Sequence, residues 1–439
     1  MSTRRVLWII AMIMSMHIFS GCNRDIWDNN DDNTDPDVPG DVQSLTFLAS
    51  QHNPEPGLNS PFDCSLCKII WEEGNAPVVT KIEGVYIDED NTMYSSQGGG
   101  RIFVYSSSGK MKEEHPEYAK HGDIPIVIDV ESMTWSIPEI DVAGVESYYY
   151  YRSWSDSETS HPGIMNSDGT TIYFAIEELD EDDEWNGDAH LIKYDVASQQ
   201  SDFVTGALDL PGVVPGHLHD DDEYGNRIEI FSISPDGKYL VGHVTNWEKY
   251  GYTGWSNVGG GSPVLFLYNT ISGEFTKITA YQGENDAPWP TFNTISYDSK
   301  TIYFSEDDTQ YKYDISTGNI TMVDESFAKL SNPYPNYAKI SNDGRLAGVW
   351  DDYAVLYKIV GDKVERVGWD NLASYLWLDR TNSLQFNKAR TKVCVLSDDD
   401  VDFQLRKRYY IELQSIESDA EVDTLFTLPN YITDLIQIW

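Results

Sequence analysis

The residues of this chain best suited to chemistry are tryptophans, tyrosines and carboxylates that crowd into a few polar segments. The segment 247–262 interleaves two tryptophans and two tyrosines with glycines, and residues 177–185 and 350–353 combine tryptophan with acids. Aromatic rings offer flat apolar platforms, and carboxylates bind hydroxyl groups or a divalent cation. The residues predicted to bind a ligand are Trp247, Tyr250, Tyr252, Trp255, Trp185, Trp350 and Asp351.

A second candidate is a metal site built on His217, His219 and Asp221. Side chains two positions apart on an extended chain point the same way, and acids follow the two histidines. Such a set could hold zinc or manganese. The pattern places no third histidine, so the alternative of no ion stays open, and no other cofactor is predicted.

Catalytic motifs have weak support in this sequence. No G-x-S-x-G nucleophile elbow occurs, so no serine-hydrolase domain is predicted. A paired-carboxylate glycosidase or a metal-assisted lyase stays open, but carboxylates are so numerous that no pair stands out. No catalytic residue is therefore predicted.

The elements that must position these residues are set by a repeated turn. Asp168, Asp236 and Asp343 each precede glycine and then an apolar run, and a weaker copy at Asp298 has Ser299 in the place of glycine. Asp-Gly between two apolar runs predicts a hairpin, because both residues tolerate the positive φ of a tight turn. A base period of about 40–50 residues with four short strands per unit is typical of a β-propeller.

The predicted fold is therefore all-β, a single β-propeller of six to seven four-stranded blades over residues 44–439. A plain sandwich of short strands is the alternative, but sandwiches do not normally repeat one turn motif in register. The segment 430–439 is predicted to share one blade with the strand at 44–48. Such sharing closes the ring and removes an exposed edge.

The phrase Ser-Pro-Asp-Gly-Lys-Tyr-Leu at 234–240, followed by an acidic loop and Leu-Phe-Leu-Tyr-Asn at 265–269, resembles the repeat of TolB-like propellers. These are relatives of the tryptophan-aspartate-repeat propellers. The resemblance covers about Val78 to Pro429, and only the turn phrase is specific. It implies the propeller fold, but such folds host scaffolds, lyases, peptidase gates and sugar binders alike.

The connections that follow the second strands are predicted to lie on one face of the ring. They are residues 177–185, 247–262, 306–308, 350–353 and 398–402, and all are acidic or aromatic. The alternative is that exposed loops are simply polar. The segment 247–262 has neither strand nor helix period and is predicted to be a surface loop for recognition.

The N-terminus predicts export and anchoring. Residues 1–21 have Arg4, Arg5 and an apolar stretch that is too short to favour a membrane span, as in a signal peptide. The sequence Phe-Ser-Gly-Cys at 19–22 resembles the lipobox of bacterial lipoproteins, although Phe19 replaces the usual aliphatic residue. The resemblance implies that Cys22 is lipidated and that the membrane is reached through the lipid anchor only.

Residues 22–43 are predicted to form a disordered acidic tether. They are crowded with aspartate and lack a pattern that could form a core. An acidic stretch behind a lipidated cysteine also resembles the surface-export signal of Bacteroidota lipoproteins. This resemblance implies the cell-surface side of an outer membrane, with the periplasmic face as the alternative.

The charge of the chain excludes one class of partner. There are 72 acidic residues against 30 lysines and arginines, a formal net charge of −42. A surface this negative repels phosphate, so no nucleic-acid partner is expected.

Cys64 and Cys67 form a single C-x-x-C pair. No second pair completes a four-thiolate zinc site, and Lys68 stands where haem attachment needs histidine. A thioredoxin-like setting for redox chemistry is absent. Outside the cytoplasm, a local disulfide between the two cysteines is the plainest prediction.

The leading hypothesis from the sequence is a non-enzymatic, lipid-anchored propeller. It would present its aromatic and acidic face to a polysaccharide or to an envelope or surface protein. An extracytoplasmic polysaccharide lyase or glycoside hydrolase is one alternative. A periplasmic scaffold for envelope proteins, which the TolB-like resemblance implies, is the other.

Overall fold

Strands dominate the structure, a computed structural model of the chain. Two short helices, α1 (Gly109–Glu114) and α2 (Pro116–Ala119), and two 3₁₀ turns, Ala207–Asp209 and Glu325–Leu330, are its helical segments within the described residues. In those residues no helix has the length and apolar character needed to cross a membrane. The described residues are 44–52, 63–72, 75–88, 96–98, 100–142, 145, 147–150, 163–179, 185–210, 224–250, 254–257, 264–280, 290–306, 308–330, 338–351, 353–366, 384–386, 392–398, 405–412, 424–429 and 432–438.

The described strands form seven antiparallel sheets, numbered here in chain order. The first sheet contains β1 (Ser44–His52), β2 (Asp63–Glu72), β3 (Val78–Asp88) and β30 (Ile432–Ile438). The second contains β4 (Ser96–Gly98), β5 (Arg101–Ser106), β6 (Ile124–Asp129) and β7 (Thr134–Ser136). The third contains β8 (Tyr148–Tyr150), β9 (Gly163–Met165), β10 (Thr171–Leu179), β11 (Trp185–Asp195) and β12 (Gln200–Gly206).

The remaining sheets follow the same plan of consecutive strands. The fourth contains β13 (Tyr224–Ile233), β14 (Tyr239–Tyr250), β15 (Gly254–Asn257), β16 (Val264–Asn269) and β17 (Phe275–Ile278). The fifth contains β18 (Pro290–Ile295), β19 (Thr301–Glu306), β20 (Thr309–Asp314) and β21 (Ile320–Met322). The sixth contains β22 (Lys339–Ile340), β23 (Leu346–Asp351), β24 (Tyr353–Val360) and β25 (Lys363–Arg366). The seventh contains β26 (Leu384–Phe386), β27 (Lys392–Asp398), β28 (Leu405–Glu412) and β29 (Thr424–Pro429).

The sheets are arranged in a ring. Each sheet contacts the next one along the chain, and the seventh contacts the first through β26 and β30. First strands of neighbouring sheets touch each other, as β13 does with β18 and β18 with β22. A two-sheet sandwich does not give this cyclic set of neighbours. The predicted all-β propeller fold is therefore confirmed; five of the described sheets have the predicted four strands, and the third and fourth have five.

The strand that closes the ring comes from the C-terminal end of the chain. β30 pairs with β1, from Phe47 opposite Ile438 to Gln51 opposite Ile432. The first sheet thus joins β30 to three strands from the start of the domain. The predicted sharing of one blade by the two ends is confirmed, and β1 has no open edge on that side.

The apolar core is divided among the spaces between neighbouring sheets. One buried cluster joins residues of the first and second sheets, and others join the second to the third, the third to the fourth, the fourth to the fifth and the fifth to the sixth. Phe174 of β10, for example, meets Phe103 of β5 edge to face at 5.5 Å between ring centroids. A core of this kind grows by adding sheets side by side, which suits a long chain.

The repeated aspartates occupy the turns between first and second strands. Asp236 Oδ1 accepts hydrogen bonds from the Ser234 hydroxyl at 2.7 Å and from the Lys238 backbone N–H at 3.1 Å. The next residue, Gly237, has φ +73°. In the weaker copy Ser299 takes the glycine position with φ +58°, and its hydroxyl accepts a hydrogen bond from the Asp236 N–H at 3.2 Å.

Replacement of Asp236 by alanine is expected to lower the free energy of unfolding by about 1–2 kcal/mol, because it removes charge-assisted hydrogen bonds from a tight turn. Asp236→Asn keeps an acceptor oxygen and should cost about half as much. Burial alone would raise the pKa of Asp236, but the bonds from Ser234 and Lys238 outweigh it and lower that pKa.

The stability that Asp236 contributes is therefore complete above the ordinary pKa of an aspartate, about 4, and is lost as the pH falls through the lower folded pKa. Urea unfolding at pH 7 and pH 3 measures both effects. A stability loss for Asp236→Ala that is equally large at the two pH values would contradict this role of the carboxylate.

The predicted disulfide between Cys64 and Cys67 is wrong. Both are buried thiols in β2, whose pairing with β1 is unbroken over this stretch. Positions three apart on a strand are about 10 Å apart, which is too far for a disulfide. Cys64 packs with residues of the second sheet. Burial, with a smaller effect of Cys64, raises the pKa of Cys67 to about 12, so this thiol stays protonated.

Candidate functional site

Acidic and aromatic residues lie where the second strands end. Each second strand of the third to sixth sheets starts at a repeated turn and runs to the opposite end of the ring. We call that opposite end the acidic rim, defined by residues 177–179, 245–250, 306, 350–351 and 398. The other end, defined by the turns at 166–170, 234–238, 296–300 and 341–345, is called the turn face.

The structure brings most of the predicted ligand residues to this rim. Trp247 and Tyr250 lie in the last part of β14, Trp255 lies in β15, and Trp185 begins β11 opposite Leu179. Trp350 and Asp351 are the last two residues of β23. Tyr252 lies outside the described residues.

The prediction of an irregular loop at 247–262 is wrong for part of this segment. β14 pairs with β16 only as far as Val244, and its later residues pair with β15, up to Tyr250 opposite Gly254. On its other edge, β14 pairs with β13 as far as Glu248, opposite Tyr224, so only the last residues of the β14–β15 hairpin extend past β13. The sequence of this stretch lacks the apolar alternation from which strands are predicted.

A buried ion pair that the sequence did not predict lies between the third and fourth sheets. Glu177 near the end of β10 and Arg227 in β13 lie 2.6 Å apart between Oε1 and Nε, and their side chains are only 8% and 14% exposed. Burial raises the pKa of Glu177 to about 7, against the lowering effect of Arg227, and the nearby Glu229 adds to the rise. Removing two charges from water is costly, so such a pair needs close geometry.

A second buried pair lies beside the first. Glu229 of β13 bonds His243 of β14, the residue directly opposite, and both side chains are 6% exposed. Phe231 meets the His243 ring edge-on at 4.5 Å and stacks on Phe292 of the fifth sheet at 5.7 Å. The alternation Arg-Ile-Glu-Ile at 227–230 is the sequence pattern that could have revealed this charged side of a first strand.

Other polar groups at the rim also have fixed partners. Glu178 Oε2 lies 3.1 Å from His190 Nε2. Glu306, the last residue of β19, accepts a hydrogen bond from the Ala280 backbone N–H at 3.1 Å. The carboxylate thereby fixes the backbone that enters the fifth sheet, so part of the acidity at this end of the ring is structural.

The tyrosines of β8, Tyr148–Tyr150, lie between the second and third sheets. Tyr148 and Tyr150 are buried, whereas Tyr149 is half-buried, as alternation along β8 predicts. His121 stacks on Tyr148 at 4.1 Å. Gly122 has φ +100°, and a Cβ there would lie 2.7 Å from the Tyr149 ring. The connection between β5 and β6, which contains α1 and α2, is therefore packed against β8 at the edge of the third sheet.

The predicted metal ligands His217, His219 and Asp221 lie outside the described residues. Within the described ranges, no group of three or more histidines, cysteines, aspartates or glutamates is arranged to hold a metal ion.

The known proteins that match this chain are solved structures. No protein-family model matches the chain, and no curated protein matches it in sequence. Among solved structures it is similar to TolB from Acinetobacter baumannii, with 14% identity over 74% of this chain and 65% of that one and a TM-score of 0.35. Less than two thirds of that TolB is therefore matched.

Two further solved structures are similar to the chain at comparable levels. Dipeptidyl peptidase 4 from Porphyromonas gingivalis is 12% identical over 82% of this chain and 51% of its own, with a TM-score of 0.38. An oligogalacturonate lyase in complex with manganese is 9% identical over 85% of this chain and 92% of its own, with a TM-score of 0.31. These values assign no residue and no activity, and the propeller architecture rests on the ring of sheets described above.

Proposed function

We propose that this chain is a lipid-anchored outer-membrane lipoprotein, displayed at the cell surface, with a seven-bladed propeller that binds a polysaccharide through its acidic rim. Cys22 carries the lipid in this proposal, and residues 22–43 form the tether. A surface or envelope protein is the alternative occupant of the same rim.

The observation that carries the proposal is the unequal distribution of residue types between the two ends of the ring. The second strands of the fourth to seventh sheets end at an acid or a tyrosine, and that of the third has Glu177 and Glu178 just before its last residue. The sequence that follows these strands is acidic in every sheet of this group except the fourth. The turns at the other end are short and hold their aspartates in internal hydrogen bonds. Loops that gather at one end of a rigid ring are a common place for binding.

The hairpin β14–β15 supplies the aromatic part of the proposed site. Trp247 lies opposite Asn257, and Lys249 lies opposite Trp255, so the two tryptophans occupy diagonal positions of the ribbon. Diagonal positions share one face of an antiparallel pair and are within reach of large side chains. Aromatic residues at such positions suit the flat apolar faces of successive sugar rings.

The net charge favours a neutral polymer as the ligand. A chain with a formal charge of −42 repels anionic polysaccharides at low ionic strength. Carboxylates at the rim accept hydrogen bonds from sugar hydroxyls, which are donors without charge. We therefore place neutral polysaccharides first among the candidate ligands.

Replacement of both Trp247 and Trp255 by alanine is expected to weaken the affinity for the polysaccharide that the protein binds by at least about thirtyfold, because two central aromatic anchors are lost. Affinity electrophoresis against a panel of neutral and anionic polysaccharides measures this. Phe203→Ala, which removes a half-exposed ring from the outer strand β12, is the matched control and should leave retention unchanged. Retention that survives the double substitution would contradict a site on this hairpin, and binding of a surface protein instead of any glycan would favour the alternative occupant.

A second candidate function, a polysaccharide lyase or glycoside hydrolase, is favoured by Glu177. A buried carboxyl with its pKa raised to about 7, close to a second carboxyl at Glu229, has the character of a general acid. Release of oligosaccharide products, lost in Glu177→Gln, would support this candidate. Retention of a polysaccharide without any product supports the binding module.

A further inference from the structure

We propose that the propeller is held with its turn face toward the membrane, so that the acidic rim points away from the lipid bilayer. This inference rests on the lipid anchor at Cys22 that is part of the proposed function. It concerns the direction in which the binding surface is presented.

Ser44, the first residue of β1, lies at the end of the ring opposite the acidic rim. The Ser106 hydroxyl, at the last residue of β5, donates a 2.5 Å hydrogen bond to the Tyr86 carbonyl near the end of β3. The end of β3 is therefore at the rim end of the ring. β3 and β2 are antiparallel, as are β2 and β1, so His52 lies toward the rim and Ser44 lies at the opposite end.

This opposite end belongs to the same face as the repeated turns. Lys68 of β2 donates a hydrogen bond to the Val130 carbonyl at 3.1 Å, and the Val130 N–H bonds Gly100 in the turn before β5. Arg101 then donates to the Gly169 carbonyl, in the Asp168 turn, at 2.9 Å.

These contacts continue around the turn face. A Cβ at Gly237 would lie 3.2 Å from the Ser167 hydroxyl, and the Asp236 N–H bonds Ser299. Lys312 pairs with Asp362 at 3.0 Å between the fifth and sixth sheets. The tether is thus attached at the face that carries the Asp-Gly turns.

The two ends of the ring also differ in charge. On the turn face each of three repeated aspartates pairs with a cation two residues later, at distances of 2.9–3.3 Å. The pairs are Asp236 with Lys238, Asp298 with Lys300, and Asp343 with Arg345. At the rim the described second strands end in acids at Glu306, Asp351 and Asp398, and the sequence that follows second strands, such as 180–184 and 399–400, contains acids without lysine or arginine. An anionic bilayer repels the rim more strongly than the balanced turn face.

The length of the tether limits how freely the ring can turn. A flexible chain of about 20 residues has a mean span of about 25 Å. The two ends of a six-residue strand are about 20 Å apart. A tether of that reach leaves the attached face nearer to the membrane on average.

Energy transfer to the membrane tests the orientation without the natural lipid. The chain from Asn23 onward, with a hexahistidine tag in place of Cys22, is attached to vesicles that contain nickel-chelating lipid, anionic lipid and an acceptor-labelled lipid. A donor dye is placed at Ile271→Cys, an exposed position on the turn face, or at Glu114→Cys, an exposed position in the α1 connection at the rim end. The tagged chain without an added cysteine measures the labelling of the native thiols.

Energy transfer from position 271 is expected to be about twofold higher than from position 114, because the turn face lies closer to the acceptor. Equal transfer from the two positions, or higher transfer from position 114, would overturn the inference. The tag replaces the lipid, so an error about Cys22 does not alter this result. Retention of polysaccharide by the same labelled chains, measured without vesicles, reports separately on the binding site.

Discussion

Deletion of residues 430–439 is expected to leave a chain that does not unfold cooperatively. The deletion removes β30, which supplies the first sheet with one of its four strands and contacts β26 of the seventh sheet. The ring then opens, and β1 becomes an unprotected edge. The loss is comparable with the whole stability of a typical domain, about 5–15 kcal/mol.

Urea unfolding followed by circular dichroism measures the effect of this deletion. A chain that ends at Ile438, and so keeps all of β30, is the matched control and should unfold as the full chain does. Addition of a peptide with the sequence of 430–439 should restore cooperative unfolding to the shortened chain. An unchanged unfolding midpoint in the shortened chain would show that β30 does not close the ring.

Replacement of Arg227 by methionine is expected to lower the free energy of unfolding by about 2–3 kcal/mol at pH 9, because Glu177 loses its ion-pair partner and takes up a proton, at about 1.4 kcal/mol for each pH unit above its folded pKa. The double variant Arg227→Met and Glu177→Gln should recover much of that loss, since no buried charge is left at this pair. Arg345→Met breaks the exposed pair with Asp343 and is the matched control, with an expected cost below about 1 kcal/mol.

The pH dependence gives an independent check on Glu177. Its folded pKa is raised from the ordinary value to about 7, so the folded state binds more protons than the unfolded state between about pH 4.5 and pH 7. Its contribution to stability therefore decreases as the pH rises through this window. Glu177→Gln should show a flatter profile than the full chain. A steeper profile, or an Arg227→Met variant as stable as the full chain, would contradict a buried charged pair.

Local turn chemistry explains why the architecture could be predicted from the sequence. The Asp-Gly phrases determine where the first strand ends and the second begins. The aspartate side chain and the positive φ of the next residue form this turn within five consecutive residues. Ser299 shows the same rule, because it adopts φ +58° where the other copies have glycine. The closing strand was predictable as well, because segments at both ends of the domain had strand character and needed partners.

Contacts between distant segments explain what the sequence did not reveal. The ion pair of Glu177 and Arg227 joins two sheets, and no local sequence pattern predicts that these two residues are in contact. The first strand of the third sheet is interrupted: Tyr150 pairs with Ile176, and Gly163 pairs with Phe174. An insertion of 12 residues between these pairs breaks the alternation from which a strand is predicted.

Hydrogen exchange in the presence of a retained polysaccharide tests the central claim most directly, because it reports which end of the ring is covered. The account predicts slower exchange in peptides that span 246–257 and 349–353, at the acidic rim. It predicts no change in peptides that span 166–170 and 234–238, on the turn face. Protection confined to the turn face or to the outer strands, with the rim unchanged, would contradict the account.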